Sequence, residues 1–289
     1  MFASSKEAGN TAQVALPTGT LGGTTMDPRE RLQRGQEATA AGRYQDALRD
    51  YIWFHDHALE HRPSLYGVRL SFALWYWLEL AKLYPEARRA LEKIRDQKTT
   101  HLLSSKGDRE TFHDVEAINE KLGCERATYE LFAKLDLANP ELAARCANLA
   151  MPAIVKLEDF QMARRYISSP DDMLRGYGDM LNEDIDDIER RPPSKAPRRK
   201  AYIHIYVERV QLLLEILRGT NETEEAERIR ALALELVKSP SVRKAVRNAL
   251  AGKAKRRQAS ARAVLKRKRR AAGRKTVTKR KRRITARKA

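Results

Sequence analysis

The sequence predicts an all-α protein: a right-handed α-solenoid of four to five antiparallel helix pairs, with a disordered leader before it and a disordered basic tail after it. Three observations predict this. Apolar residues recur at steps of three and four, the period of a helix packed on one side, and no strand-like alternation competes with them. A short signature, an aromatic or Cys three residues before a small Ala, returns as Tyr44/Ala47, Tyr84/Ala87, Cys124/Ala127 and Phe160/Ala163, with the alanines 40, 40 and 36 residues apart. A near-constant period of this size marks stacked two-helix units, each too small to bury its own apolar face. The charge is also segregated: from Lys253 to Ala289 there are 19 Lys or Arg and no Asp or Glu. Removing those 19 from the total of 57 leaves 38 basic residues against 38 acidic ones, so the rest of the chain is neutral.

Residues 1–26 are small and polar, with scattered Gly and Pro, and read as a disordered leader in which Met26 is an alternative start. The repeat region is expected over 27–170. Asp27-Pro28 is a helix entry, Asp as N-cap and Pro in the first turn. Helix pairs follow at about 28–41 and 44–61, 66–82 and 85–97, 108–122 and 124–137, and 140–155 and 159–168. In the first pair Tyr44, Ala47, Tyr51, Phe54 and Ala58 share one face, and the small Ala lets a neighbouring helix approach while the rings fill the space beside it.

Residues 171–197 read as an acidic helix, or two short ones, followed by a Pro-rich linker: eight Asp or Glu stand against Arg175 and Arg190 between 171 and 190, a net charge of −6. The region 198–252 is expected to hold a further helix pair (198–218 and 222–238, with Ala226 as a fifth equivalent of the repeated alanine) and a capping helix from Ser239-Pro240 to about 251. The tail, 253–289, carries basic clusters at Lys255, Arg256 and Arg257, at Lys266, Arg267, Lys268, Arg269 and Arg270, and at Lys279, Arg280, Lys281, Arg282 and Arg283. It is too charged and too poor in apolar residues to fold alone.

The first pair resembles the tetratricopeptide repeat (TPR). Gly35 lies twelve residues before Ala47, and Tyr44, Ala47 and Tyr51 follow in that family's order. The second, third and fourth pairs place Trp75, Val115 and Met151 where the early Gly would stand, and their period is nearer 40 than 34. The segments WFHDHAL and FHD are similar to those of bacterial proteins of this type. The resemblance implies repeat packing through Gly35, Tyr44, Ala47, Tyr51, Tyr84, Ala87, Ala127, Phe160 and Ala163. It also implies protein or peptide binding in a groove lined by the first helices, without catalysis. The tail resembles the Lys/Arg/Ala-rich tails of histone-H1-like and other nucleoid proteins.

Several function classes lose ground on composition alone. No run of eighteen apolar residues predicts a membrane span, and no basic-then-apolar start predicts a secretory signal. Cys124 and Cys146 read as small core residues in a reducing compartment, which fits a cytoplasmic protein, nucleoid-associated or, in a eukaryote, nuclear. There is no P-loop, no dinucleotide fingerprint and no nucleophile elbow, and the sole Gly-rich stretch lies in the leader. No cofactor is expected. His55, His57 and His61 in WFHDHALEH, with His113-Asp114, form the one metal-like grouping. They carry a minor reading as a metal-dependent hydrolase built on His55, His57 and His113. Trp75, Tyr76 and Trp77 crowd one helix; at least one indole is expected in the core, and an exposed one would anchor a partner.

Taken together, the residues point to a non-enzymatic adaptor whose repeats bind a protein and whose tail binds DNA or RNA through phosphates, sequence-blind and salt-dependent. The alternative is a protein-interaction scaffold with no nucleic-acid role. The acidic stretch is expected to hold the tail in cis and compete with nucleic acid.

Overall fold

A computed structural model describes residues 27–104, 107–190 and 195–252. The leader and the basic tail lie outside the described residues, as does most of the Pro-rich break. Among the described residues the protein is all-α, with no strand. The chain divides into two compact units, residues 1–89 and 90–289, a boundary that no composition shift marks.

The first unit begins with α1 (Pro28–Ala40) and α2 (Tyr44–His61). Asp27 caps α1 by accepting from the Arg29 backbone N–H at 3.0 Å, and Pro28 occupies the first turn, as expected. Gly42, at φ 73°, makes the turn between the two helices, a conformation open to glycine at no steric cost. The two helices then pack along their length. The segment expected as one helix over 66–82 is interrupted. A 3₁₀ turn (Pro63–Leu65) leads into α3 (Tyr66–Leu70), and α4 (Phe72–Leu83) starts afresh. At the break the Ser71 hydroxyl donates to the Gly67 carbonyl at 2.5 Å and the Ser71 N–H turns to Val68, which diverts the helical ladder. Tyr51, Phe54, Leu74, Trp77, Leu80 and Ala87 form the buried centre of this unit.

α5 runs from Pro85 to Leu103. The second unit continues with α6 (Arg109–Leu122), α7 (Glu125–Ala138), α8 (Pro140–Lys156), α9 (Phe160–Arg165), α10 (Pro170–Arg190), α11 (Lys195–Gly219) and α12 (Thr223–Glu235), and a last helical stretch covers 240–252. Side-chain caps explain several starts: Asp108 accepts from Thr111 N–H at 2.8 Å, Asn139 from Leu142 N–H at 3.1 Å and Asp159 from Met162 N–H at 3.0 Å. α6 ends at Gly123, which has the left-handed conformation at φ 71° common after a helix. α11 packs on α8, α9, α10 and α12, so it organises the unit.

The acidic stretch is one helix. In α10, Leu174, Leu181, Ile185 and Ile188 fall on a single side and are buried, and the first three join the unit's apolar core. Asp172, Asp179, Glu183 and Asp186 recur at the same spacing on the exposed side. Asn182, buried between these faces, donates from Nδ2 to the Leu236 carbonyl at 2.9 Å and accepts at Oδ1 from the Lys238 N–H at 3.0 Å.

Candidate functional site: an arginine-lined cavity

In the first unit, the α1–α2 hairpin brings together residues that no local motif connects. Arg31, Arg34 and Ala38 lie at i, i+3 and i+7 on α1; Arg43, Asp46, Arg49 and Asp50 follow across the turn on α2 and the residue before it. They line one cavity of about 260 Å³.

Asp50 is the hub. It is only 3% exposed. It accepts from Arg31 Nε at 3.1 Å, from Arg34 Nε at 2.7 Å, and from a second Arg34 nitrogen, so Arg34 grips it as a two-toothed fork. Burial alone would raise the Asp50 carboxyl; hydrogen bonding to Arg34 and the Arg34 and Arg31 charges outweigh it and hold the carboxyl below its ordinary range. Arg31 moves the other way from the usual. Burial, with Arg34 and Arg49 adding repulsion, lowers its pKa although Asp50 opposes the change. Its guanidinium also lies over the Trp53 ring, 4.3 Å from the centroid. Nearer the rim, Asp46 accepts from Arg49 at 2.7 Å and from Arg43 at 3.4 Å. Four guanidiniums thus face two carboxylates.

The packing residues of the first hairpin lie beside this cavity. Ala47 and Tyr51 are buried, and the Tyr51 ring lies against Gly35. Tyr44 and Tyr84, the aromatic members of the first two signatures, face each other at 6.0 Å between ring centroids. Ala87 is buried and its carbonyl accepts from the Trp77 indole N–H at 2.8 Å. In the second unit Ala163 and Ala226 are fully buried, and Phe160 is part-buried with its ring over Gly219. Ala127 is only part-buried. On α7 the buried side is Thr128, Leu131, Phe132 and Leu135, one residue round from the expected register.

The two indoles of α4 separate. Trp77 is 1% exposed and fills the core, whereas Trp75 is 51% exposed, beside exposed Phe72 and Leu83 on the same helix.

The histidines of WFHDHALEH go to different places. His57 and His61 flank the Trp53 ring at 5.4 and 5.6 Å between centroids, and His57 Nδ1 is 3.1 Å from Glu60. His55 is buried with its ring edge-on to Trp77, 3.4 Å from an Arg69 guanidinium nitrogen that also donates to the His55 carbonyl. His113 belongs to the second unit. There the neighbouring Asp114 is buried and accepts from Lys98 at 2.6 Å. Among the described residues no group of three or more His, Cys, Asp or Glu gathers where it would hold a metal ion, and no helix is long and apolar enough to cross a membrane.

The arginine cavity is the site that the motifs in the sequence do not reveal. Arg31 and Arg34 are 19 and 16 residues from Asp50. The available signal was weak: two arginines at i, i+3 beside an Asp on the next helix. The basic tail clusters lie outside the described residues. Comparison with protein-family models, curated proteins and solved structures finds no match.

Proposed function

We propose that the chain is a non-enzymatic adaptor: a right-handed, tetratricopeptide-type helical array that binds a protein partner, with a basic tail that attaches the assembly to DNA or RNA. The observation that carries this role is the segregation of charge. All 19 excess basic residues lie in the last 37 positions, and the remainder is balanced at 38 of each sign. A string of Lys and Arg neutralises phosphates and releases their counterions without reading bases. The tail has no aromatic residue on which a base would stack.

Two features of the helical part support protein binding. The first hairpin carries the Gly35–Tyr51 and Ala47 packing of the repeat it resembles. On α4, Phe72 and Trp75 leave aromatic surface facing solvent, of the kind enriched at protein contacts. The acidic side of α10 is the competitor for the tail within the same chain.

The test compares DNA and RNA binding by the full chain and by a chain ending at Gly252 across a salt series. The adaptor role expects binding by the full chain alone, with log affinity falling against log salt at about −0.9 per phosphate contacted on duplex DNA. Failure of both chains to bind at low salt leaves the scaffold role without a nucleic-acid anchor.

A further inference from the structure

We propose that the arginine cavity of the first hairpin binds a phosphomonoester dianion, carried on a phosphorylated side chain of a partner protein; only the choice of a protein as the carrier rests on the adaptor role above.

The charge count favours a dianion. Arg31, Arg34, Arg43 and Arg49 stand against Asp46 and Asp50, an excess of two positive charges in one cavity. A phosphomonoester carries about −1.5 to −2 at pH 7 and has three acceptor oxygens. Donors are in surplus too. A guanidinium offers five N–H groups, yet among the described residues the Arg43 and Arg49 guanidiniums each make a single hydrogen bond, both to Asp46. These two are 57% and 69% exposed at the side chain, so they are free to swing towards an incoming anion. The deeper pair is already positioned: buried Asp50 holds Arg31 and Arg34, and Trp53 supports Arg31 from the other side.

Size and lining agree with that carrier. A cavity of about 260 Å³ takes a phosphate group and its ester link. Among the described residues Ala38 is its one nonpolar lining residue, and no aromatic ring lines it to stack a base. A nucleotide end would therefore be held by its phosphate alone, whereas a phosphorylated side chain presents little else. The competing structural explanation is that the outer side of a terminal helix pair is polar for solubility. That explanation calls for a balanced surface and gives no reason for a twofold positive excess around a concave site.

The test uses the full chain, its tail intact, with a phosphoserine pentapeptide that is neutral apart from its phosphate, and its unphosphorylated twin, as probes. Arginine Nε–H resonances are followed by NMR at pH 7.5. Binding of the phosphopeptide alone is expected, with shifts at Arg31 and Arg34. Arg43→Ala with Arg49→Ala weakens it at least tenfold. Asp46→Asn, which raises the excess charge, tightens it severalfold, an outcome that misfolding cannot imitate. Lowering the pH to 5.5, where the ester is largely a monoanion, weakens it. Affinity within twofold of the parent in the double arginine variant overturns the site. A 5′-phosphorylated trinucleotide that binds more tightly than the peptide, with the gain lost in the same variant, overturns the protein carrier. The salt series on the tail is independent of these readouts, so either result can fail while the other stands.

Discussion

The Tyr51 ring lies against Gly35 so closely that a methyl group built on Gly35 would sit 2.7 Å from Tyr51 Cε1. Tyr51 cannot retreat, because it is buried, its hydroxyl is 3.2 Å from the Thr39 hydroxyl, and its ring stacks with Trp77 at 6.4 Å. Alanine normally favours a helix over glycine by about 1 kcal/mol. Here overpacking, at about 1–3 kcal/mol, opposes that gain. Gly35→Ala is therefore expected to be neutral to destabilising, by up to about 2 kcal/mol in urea denaturation. A more stable variant would show that the ring yields.

Asp50 predicts a pH dependence. A carboxyl whose folded-state pKa lies below its unfolded value, about 3.9, adds stability above that value and loses it as pH falls through the folded one. Asp50→Asn removes this contribution and strands two arginines. Arg34 is partly exposed, so water screens part of the loss. The expected cost at pH 7 is about 1–3 kcal/mol, below the full penalty for breaking a buried pair. The difference from the parent should shrink as pH falls below about 4. Denaturation at pH 7 and pH 3 measures both.

Glu116 on α6 predicts the opposite trend. Burial, then the nearby Glu120, push its carboxyl up to about 7 against the pull of Lys121. An acid with a raised folded pKa favours the fold fully below its unfolded value, about 4.3, and that advantage is lost as pH rises through about 7. Glu116→Gln should match the parent at pH 4 and be more stable by about 2–4 kcal/mol at pH 8.5. Equal stability at both pH values would show that Glu116 is well hydrated.

Asn182 ties α10 to the end of α12 through the Leu236 carbonyl and the Lys238 N–H. Asn182→Leu keeps the branching of the side chain and its number of heavy atoms, and leaves both backbone groups without this partner. Each lost partner of a buried polar group costs about 1–3 kcal/mol. Both contacts are only part-buried, so the lower part of the summed range, about 2–4 kcal/mol, is expected from these two groups. Hydrogen exchange should show the Lys238 amide losing protection ahead of the core. Unchanged exchange at Lys238 would assign the amide a lesser role.

Pro152 lies inside α8 on its exposed side. An interior proline costs about 3 kcal/mol, offset by about 0.4–1 kcal/mol because proline also restricts the unfolded chain. Pro152→Ala is expected to raise stability by about 2–2.5 kcal/mol, read from the denaturation midpoint.

Most of the secondary structure was legible because caps and periodicity are local. Asp27-Pro28, Asn139-Pro140, Gly42 and Gly123 each set an end of a helix within a few residues of chain. The repeated alanine was legible where helix neighbours follow in order, at Ala47, Ala87 and Ala163. It slipped on α7, where the buried side is set by Phe112 and Tyr166, whose rings meet Phe132 at 6.2 and 5.2 Å. The Ser71 break was hidden inside an apolar run, since one side-chain hydrogen bond does not alter hydropathy. Which of Trp75 and Trp77 is buried was equally hidden, because both stand in a helix apolar on nearly every side.

By itself the sequence determined the helical class, several of the helix ends, the single acidic helix as one of two readings, and the concentration of charge in the last 37 residues. These depend on neighbours three or four positions away, or on composition alone. Tertiary structure decided the rest: that Asp50 holds arginines 16 and 19 residues distant, that the predicted histidines turn to Trp53, Trp77 and Arg69, and that Asn182 reaches across to Leu236. A side chain's partner depends on which helix faces lie side by side. That is settled by packing over the whole unit, where burial of apolar surface outweighs any local preference.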